Sequence, residues 1–332
     1  MIRYGILGFG HHAIKRMIPG FAEAHDSQLV GLWRRNLEKA RDNARQFSIP
    51  HVFETAEALC SSPEIDAVFI ASPDALHLPD VLLAAKHGKA ILCEKPLAMN
   101  VGEVEEMLRA AQAAKVRLGV AQNMRYYGSL ALIRRWIAEG RIGKPLLAHS
   151  QFTYSAEKSP REWIYDPALA CGGPIGDVGV HCVDALRFVL GTDVIEVATL
   201  AHGDQASGAV ESYAVLALAF ASSAMGTVTV TTRGEYRSLV EVTGERGVIL
   251  CENGLTVDHP VEVVLRRGQE VLESARVSNA DAYSLMLDSF SHWVDGREDY
   301  LAPASDGLQN QQVLDAAYTS WRTGTRQQIK SS

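Results

Sequence analysis

The chain has 332 residues, enough for about two domains and for a packed core that needs neither disulfide nor metal. Hydrophobic residues make up 47% and charged residues 21%, and no run approaches the roughly 20 apolar residues of a membrane span. The net charge of −7 disfavours nucleic acid, whose binding needs a basic surface, and leaves small molecules as the expected ligands. Five scattered cysteines, Cys60, Cys93, Cys171, Cys182 and Cys251, show no paired metal-ligand spacing. With no leader-like stretch before the strand pattern at Met1-Ile2-Arg3-Tyr4, a reducing, cytoplasmic setting is expected.

The first predicted strand, Tyr4-Gly5-Ile6-Leu7, feeds Gly8-Phe9-Gly10-His11-His12-Ala13 and a helical stretch to about Ala24. A glycine fingerprint that follows a first strand and opens a first helix is the context of a dinucleotide site: the glycines permit a tight turn and close backbone approach, and the helix N-terminus faces the pyrophosphate. His11 and His12 read as turn residues near the phosphates. The second strand, Gln28 to Trp33, ends in Arg34-Arg35 where NAD-selective sites usually carry an acid. Two guanidinium groups attract a 2′-phosphate, which predicts NADP with NAD possible; the plainer alternative is a solvated turn before the helix from Leu37 to Phe47.

Further units follow in the same rhythm. Asp66 to Ala71 is a strand, Ser72-Pro73-Asp74 a turn, and Ala75 to His87 a helix. Ala90-Ile91-Leu92-Cys93 then forms an apolar run that ends abruptly in Glu94-Lys95-Pro96. In open α/β sheets ligands bind at the carboxyl ends of strands, so Lys95 is placed for chemistry; otherwise Glu94 and Lys95 form a solvated turn and Pro96 opens the next helix. Asn100 with Glu103 resembles a capping box for a helix to about Ala114, and Val116 to Ala121 is another strand. Strands separated by helix-length segments imply a parallel, doubly wound sheet.

After Asn123 the texture changes. Leu130 to Glu139 is amphipathic, and Arg141-Ile142-Gly143-Lys144-Pro145 turns into a strand from Leu146 to about Ser155. Strands at Ser212 to Phe220, Ala224 to Thr232, Leu239 to Thr243, Gly247 to Cys251 and Val261 to Leu265, joined by glycine turns, predict a mainly antiparallel sheet. Helical segments near Ala282 to Val294 and Asp306 to Arg322 close the chain. The expected organisation is a Rossmann domain over residues 1–123 and an α+β substrate and oligomerisation domain over 124–332.

Between the halves lies Cys171-Gly172-Gly173-Pro174-Ile175-Gly176-Asp177-Val178-Gly179-Val180-His181-Cys182-Val183-Asp184. The apolar spacing of Val178, Cys182, Leu186 and Val189 predicts a helix on which Asp177 and His181 share a face one turn apart. They read either as a reactive pair or as an Asp/His pair on a helix surface. A metal set with Asp184 is disfavoured because Asp184 points off that face.

The Gly8-x-Gly10 turn, Glu94-Lys95-Pro96, Gly140-Arg141-Ile142-Gly143-Lys144-Pro145 and the segment from Gly172 to His181, in this order over nearly the whole chain, resemble the Gfo/Idh/MocA oxidoreductases. Leu92 to Met99 and the Trp163 region resemble the NADP-dependent sugar reductases among them. The resemblance implies a Rossmann domain and an open-faced sheet domain that often mediates dimers or tetramers, with the active site between them. It implies Lys95, Asp177 and His181 as the catalytic constellation. It also implies Ser72, Pro73, His77 and Glu94, together with Arg125 and Trp163, as residues at the cofactor beside those of the glycine turn. Cys171 where a first glycine is usual, and Ile164 after Trp163 where arginine is frequent, depart from the pattern beside the presumed substrate pocket.

The expected reaction is reversible hydride transfer between a nicotinamide and a secondary alcohol or ketone of a sugar or polyol. His181 would be the general acid/base, Lys95 would hold charge on the reacting oxygen, and Asp177 would orient substrate or His181. Two alternatives are a dinucleotide-dependent glycosidase of the same fold and a non-catalytic NADP-binding sensor. The first tends to retain NAD and is opposed by Arg34 and Arg35; the second has no use for Lys95, Asp177 and His181 together.

Overall fold

A computed structural model describes residues 1–157, 159–203 and 210–329, which divide into two compact units. The first unit comprises Met1–Gln122 with Tyr283–Leu308, and the second Asn123–Ala282 with Gln309–Ser332.

The first unit runs β1 (Ile2–Leu7), α1 (Ile18–Glu23), β2 (Ser27–Trp33), α2 (Leu37–Phe47), β3 (His51–Val52), α3 (Ala56–Ser61), β4 (Ala67–Ile70), α4 (His77–Lys86), β5 (Ala90–Cys93), α5 (Val101–Ala114) and β6 (Leu118–Val120). All strand pairs are parallel and the order is β3-β2-β1-β4-β5-β6. Every residue of β4 and β5 is buried, which is why these strands are short unbroken apolar runs rather than alternating ones. Val68, Ile70, Ile91 and Cys93 pack with Val81, Val104 and Met107 of the crossover helices. Helix starts are marked by side chains: Asn36 accepts the Lys39 N–H at 2.9 Å and Thr55 the Ala58 N–H at 3.0 Å. The expected capping box forms, with the Glu103 N–H on Asn100 and the Met99 N–H on the Glu103 carboxylate.

The second unit contains α6 (Gly128–Ala138), β7 (Pro145–Ser155), α7 (Val180–Leu190), β8 (Val194–His202), β9 (Tyr213–Phe220), β10 (Met225–Thr231), β11 (Arg233–Gly244), β12 (Val248–Glu252), β13 (Val261–Arg267) and β14 (Glu270–Val277). In chain order α8 (Ala282–Val294), which lies almost wholly in the first unit, α9 (Ala304–Thr323) and β15 (Gln327–Gln328) follow. Its sheet is ordered β14-β13-β12-β11-β7-β10-β9-β8-β15, antiparallel except where β10 runs parallel to β7. One face packs on α6 and α7 through Trp136, Leu186, Leu216, Leu218, Phe220 and Val228. Alternation in β9 sends Ala214, Leu216 and Leu218 inward and Tyr213 and Val215 outward, as a sheet covered on one side requires.

The structure differs from expectation in several places. β3, α3, β8, β14 and β15 are not among the expected elements, and β11 begins at Arg233 rather than Leu239. The segment Tyr283–Leu308, expected in the C-terminal domain, belongs to the first unit. Hydrogen bonding explains the last: Tyr4 Oη lies 2.8 Å from Ser291 Oγ, Asp288 accepts the His25 and Asp26 N–H groups, and Tyr300 Oη donates to Val120 O at 2.8 Å. Among the described residues no helix is long and apolar enough to cross a membrane.

Candidate active site

In the first unit the strand order reverses direction of growth between β1 and β4, and the crevice beyond their carboxyl ends is where such sheets bind ligands. Gly8 leaves β1 with φ +80°, and a Cβ there would stand 2.5 Å from Ser72 N and 2.7 Å from Ala71 C. Only glycine allows this backbone to touch the end of β4. The Gly8 and Phe9 N–H groups both reach Trp33 O, at 3.1 and 3.2 Å, which ties the turn to the end of β2. Gly10 is different. Its φ is not positive and a Cβ would meet nothing nearer than Gly8 O at 3.7 Å, so no protein atom demands a glycine there. Open space over a glycine at the mouth of this crevice suits the close approach of a dinucleotide pyrophosphate, and the chain's residues fit that group.

Past Gly10 the helix opens with the Ile14 N–H on Gly10 O and passes through a π turn, Ala13–Met17, before α1. His11 is exposed; His12 Nε2 lies 2.8 Å from Glu94 Oε1, without the alignment of a hydrogen bond. At the end of β2, Arg34 is half-buried and donates to Asn43 Oδ1 at 2.8 Å, whereas Arg35 is exposed.

Ser72 and Pro73 follow β4, and Glu94 and Lys95 follow β5. Ser72 Oγ donates to Asp80 at 2.7 Å, and burial pushes the Asp80 carboxyl up. His77 has no exposed surface: Nε2 is 3.0 Å from Ser72 O, and Nδ1 is 3.0 Å from Pro96 O and 3.2 Å from Leu97 O. The ring therefore clamps the turn after β4 to the turn carrying Lys95, across a cis Lys95-Pro96 peptide bond. Phe9 is likewise fully buried and packs against Phe47. Both residues, expected at the cofactor, have side chains that shape the site from inside.

In the second unit Asp177 lies in a π turn, Ile175–Gly179, that runs directly into α7, and His181 is the second residue of α7, 8% exposed. Such insertions are frequent at functional sites. Asp177 Oδ1 accepts from Arg161 Nη1 at 3.1 Å, and Oδ2 accepts from Arg161 Nη2 at 3.3 Å and from the Tyr154 hydroxyl. Arg161 also donates to Tyr154 Oη at 2.9 Å. Burial, reinforced by the Asp177 carboxylate, holds the Tyr154 phenol well above its ordinary range, so it remains a hydrogen-bond donor. Trp163 is half-buried in a short 3-10 turn two residues past Arg161.

Arg125, expected at the cofactor, has its guanidinium on Asp184, with Nε 3.1 and 3.0 Å from the two carboxylate oxygens and Nη2 2.6 Å from Oδ1. The pair is 6% and 0% exposed, and Asn310 Nδ2 adds a donor to Asp184 at 2.8 Å. Sequence reasoning missed this pairing, as it missed Tyr154 and Arg161. The sequence singles out Arg125 and Asp184 but not as partners, whereas Tyr154 and Arg161 belong to no local motif, and Arg161 lies two positions before Trp163.

A doubly wound parallel sheet with a glycine turn at its switch point, joined to an open sheet with a buried Asp/His helix, defines a dinucleotide-binding oxidoreductase fold. Residues 2–122 match the oxidoreductase family with an NAD-binding Rossmann fold, Gfo/Idh/MocA, and residues 130–250 match the Gfo/Idh/MocA C-terminal domain. The chain belongs to the Gfo/Idh/MocA family and is an oxidoreductase acting on CH–OH groups. It is 29% identical to 1,5-anhydro-D-fructose reductase of Ensifer adhaerens over 100% of this chain and 99% of that one. It is 28% identical to scyllo-inositol 2-dehydrogenase (NADP(+)) of Bacillus subtilis (strain 168), covering 83% of each. Aldose-aldose oxidoreductase from Caulobacter crescentus, solved with glycerol, superposes with a TM-score of 0.90 at 25% identity over 99% of both chains.

Proposed function

We propose that the protein is an NADP(H)-dependent oxidoreductase that interconverts a secondary alcohol and a ketone on a sugar or polyol. The observation that carries this reading is the placing of Lys95, half-buried at the carboxyl end of β5, beside the switch-point crevice whose glycine turn is moulded on Ser72. When bound, the nicotinamide supplies the hydride acceptor or donor. Lys95 holds negative charge on the substrate oxygen, and His181 takes or returns the hydroxyl proton. Asp177, fixed by Arg161 and Tyr154, orients the substrate hydroxyls. The names of the two relatives above, a sugar reductase and an inositol dehydrogenase, support the substrate class.

Arg34 and Arg35 favour the phosphorylated dinucleotide, Arg35 being the exposed one. The test is a screen of ketosugars, aldoses, inositols and polyols with both dinucleotides, followed by nicotinamide absorbance, with calorimetric titration of NADPH and NADH. NADPH should bind more tightly and Arg35→Asp should narrow or reverse the gap; equal affinities in the unmodified protein count against the cofactor assignment, and no turnover of any carbohydrate counts against the substrate class.

The same reading includes self-association through the uncovered sheet face. Leu147 pairs in register with Met225 and Leu200 with Val215, and these four side chains are 57%, 57%, 79% and 46% exposed. Apolar neighbours on an open face favour a second copy as cover. Light scattering should report a dimer or tetramer at micromolar concentration, and a monomer rejects this element.

A further inference from the structure

Glu211 is 2% exposed and lies in the second unit, outside every motif named above. Its Oε2 accepts the Gly173 N–H at 2.9 Å, and its Oε1 accepts the Ile175 N–H at 2.8 Å and the Tyr318 hydroxyl at 3.0 Å. The Gly176 backbone in turn hydrogen-bonds Tyr318, and burial with the nearby Glu211 charge holds that phenol well up and protonated. These are the N–H groups at the start of the π turn that carries Asp177. Pro174, the residue before it, offers no side-chain cap. The opening N–H groups of a helix need acceptors, and a carboxylate at that end is the strongest available in proteins. Glu211 supplies from a distant part of the chain the cap that the local sequence lacks.

Sterics support the same arrangement. A Cβ at Gly172 would sit 1.7 Å from Tyr318 Oη, and one at Gly173 would sit 2.0 Å from Glu211 O. The two glycines are moulded on these two residues. The Asp177 N–H then bonds Gly173 O at 2.9 Å, so two hydrogen bonds in series connect the Glu211 carboxylate to the Asp177 backbone, with His181 one turn further on.

We propose that Glu211, assisted by Tyr318, is a positioning residue that fixes the register of the turn presenting Asp177 and His181; this rests on their proposed roles above. The decisive variant is Glu211→Gln in the full-length protein. Glutamine keeps size and shape but brings one acceptor oxygen and an NH₂ to a place where three donors converge, so at least one donor faces another. Misplacement by about 1 Å costs up to ~10²-fold in rate, so kcat should fall about 10- to 100-fold while NADPH affinity stays within about twofold. Amide exchange in the peptide covering residues 173–182 should quicken; His181→Ala should remove one limb of the kcat/KM pH profile, and that limb should shift in Glu211→Gln. Tyr318→Phe removes one of the three donors and should lower kcat by several-fold without loss of folding, and it decides the matter if Glu211→Gln does not fold. Glu211→Gln or Tyr318→Phe with kcat within about twofold of the unmodified enzyme and unchanged exchange overturns the inference while leaving the reading of the site intact. Equal losses of kcat and NADPH affinity mark a role in general stability and also overturn it. If His181→Ala itself turns over normally, the reading of the site fails first and the inference fails with it.

Discussion

Gly8 and Gly10 occupy the same turn for different physical reasons, and alanine at each separates them. At residue 8 the methyl group would press into Ser72 N at 2.5 Å and Ala71 C at 2.7 Å, backbone atoms of a buried strand end that cannot swing aside, and φ is +80°. A non-glycine residue held at positive φ costs about 1–3 kcal/mol, and overpacking adds about 1–3 kcal/mol. Against this, alanine reduces the entropy of the unfolded chain by only about 0.4–1 kcal/mol. Gly8→Ala should therefore lose about 1–5 kcal/mol of stability, without any cofactor present. At residue 10 the nearest atom is 3.7 Å away and φ is ordinary, so Gly10→Ala should unfold within about 0.5 kcal/mol of the unmodified protein. Its defect should appear only with dinucleotide: a methyl group in the path of the pyrophosphate should weaken binding about tenfold or more, or about 1.4 kcal/mol of ligand-linked stability. Urea unfolding with and without saturating NADPH reads both quantities. A Gly8→Ala midpoint equal to the unmodified one, or a Gly10→Ala protein with the full NADPH-induced shift, would refute the reasoning for that residue.

Lys95→Ala and His181→Ala should each retain NADPH affinity within a few fold while kcat/KM falls by about 10² or more, near 3 kcal/mol of transition-state stabilisation, as steady-state kinetics and calorimetry will show. Asp184→Ala removes a fully buried carboxylate from the Arg125 guanidinium, so it should cost about 3–5 kcal/mol by chemical denaturation, and Arg125→Met in the same background should recover part of that loss. His292 donates to Asp26 at 2.9 Å, and this hydrogen bond raises its pKa above the ordinary value. A raised histidine pKa stabilises the fold fully below the unfolded value, about 6.5, and the contribution disappears as pH climbs through the folded one. His292→Gln should therefore lower stability at about pH 6 and have little effect at about pH 9; a difference independent of pH contradicts the assignment.

What the sequence made legible was local. The apolar runs of β4 and β5, the glycines after β1 and the Asn100/Glu103 cap each depend on residues within a few positions, and each forms as read. What it hid depends on distant partners. The His77 ring is absorbed by carbonyls of two separate turns, and Asp184 meets both Arg125 and Asn310 across long stretches of chain. Glu211 carries no neighbouring signal at all; in hindsight the paired glycines at 172 and 173, followed by a helix start without its own capping side chain, were the trace of a partner elsewhere. β8 escaped notice because polar and apolar residues alternate in it only loosely.

The return of Tyr283–Leu308 to the first unit bears on how the chain is made. During synthesis the six parallel strands emerge complete by Val120, yet Tyr4 has no Ser291 partner, and the Tyr300 hydroxyl cannot reach Val120 O, until most of the second unit has also been translated. The earliest part of the protein is thus among the last to finish folding, and a fragment ending at Gln122 should expose the surface meant for Phe290 and Tyr300 and bind chaperones or aggregate. A gene in which residues 1–122 are followed through a short linker by 283–308 restores that cover in a continuous message, and is the smallest segment with reason to fold as an independent dinucleotide-binding protein.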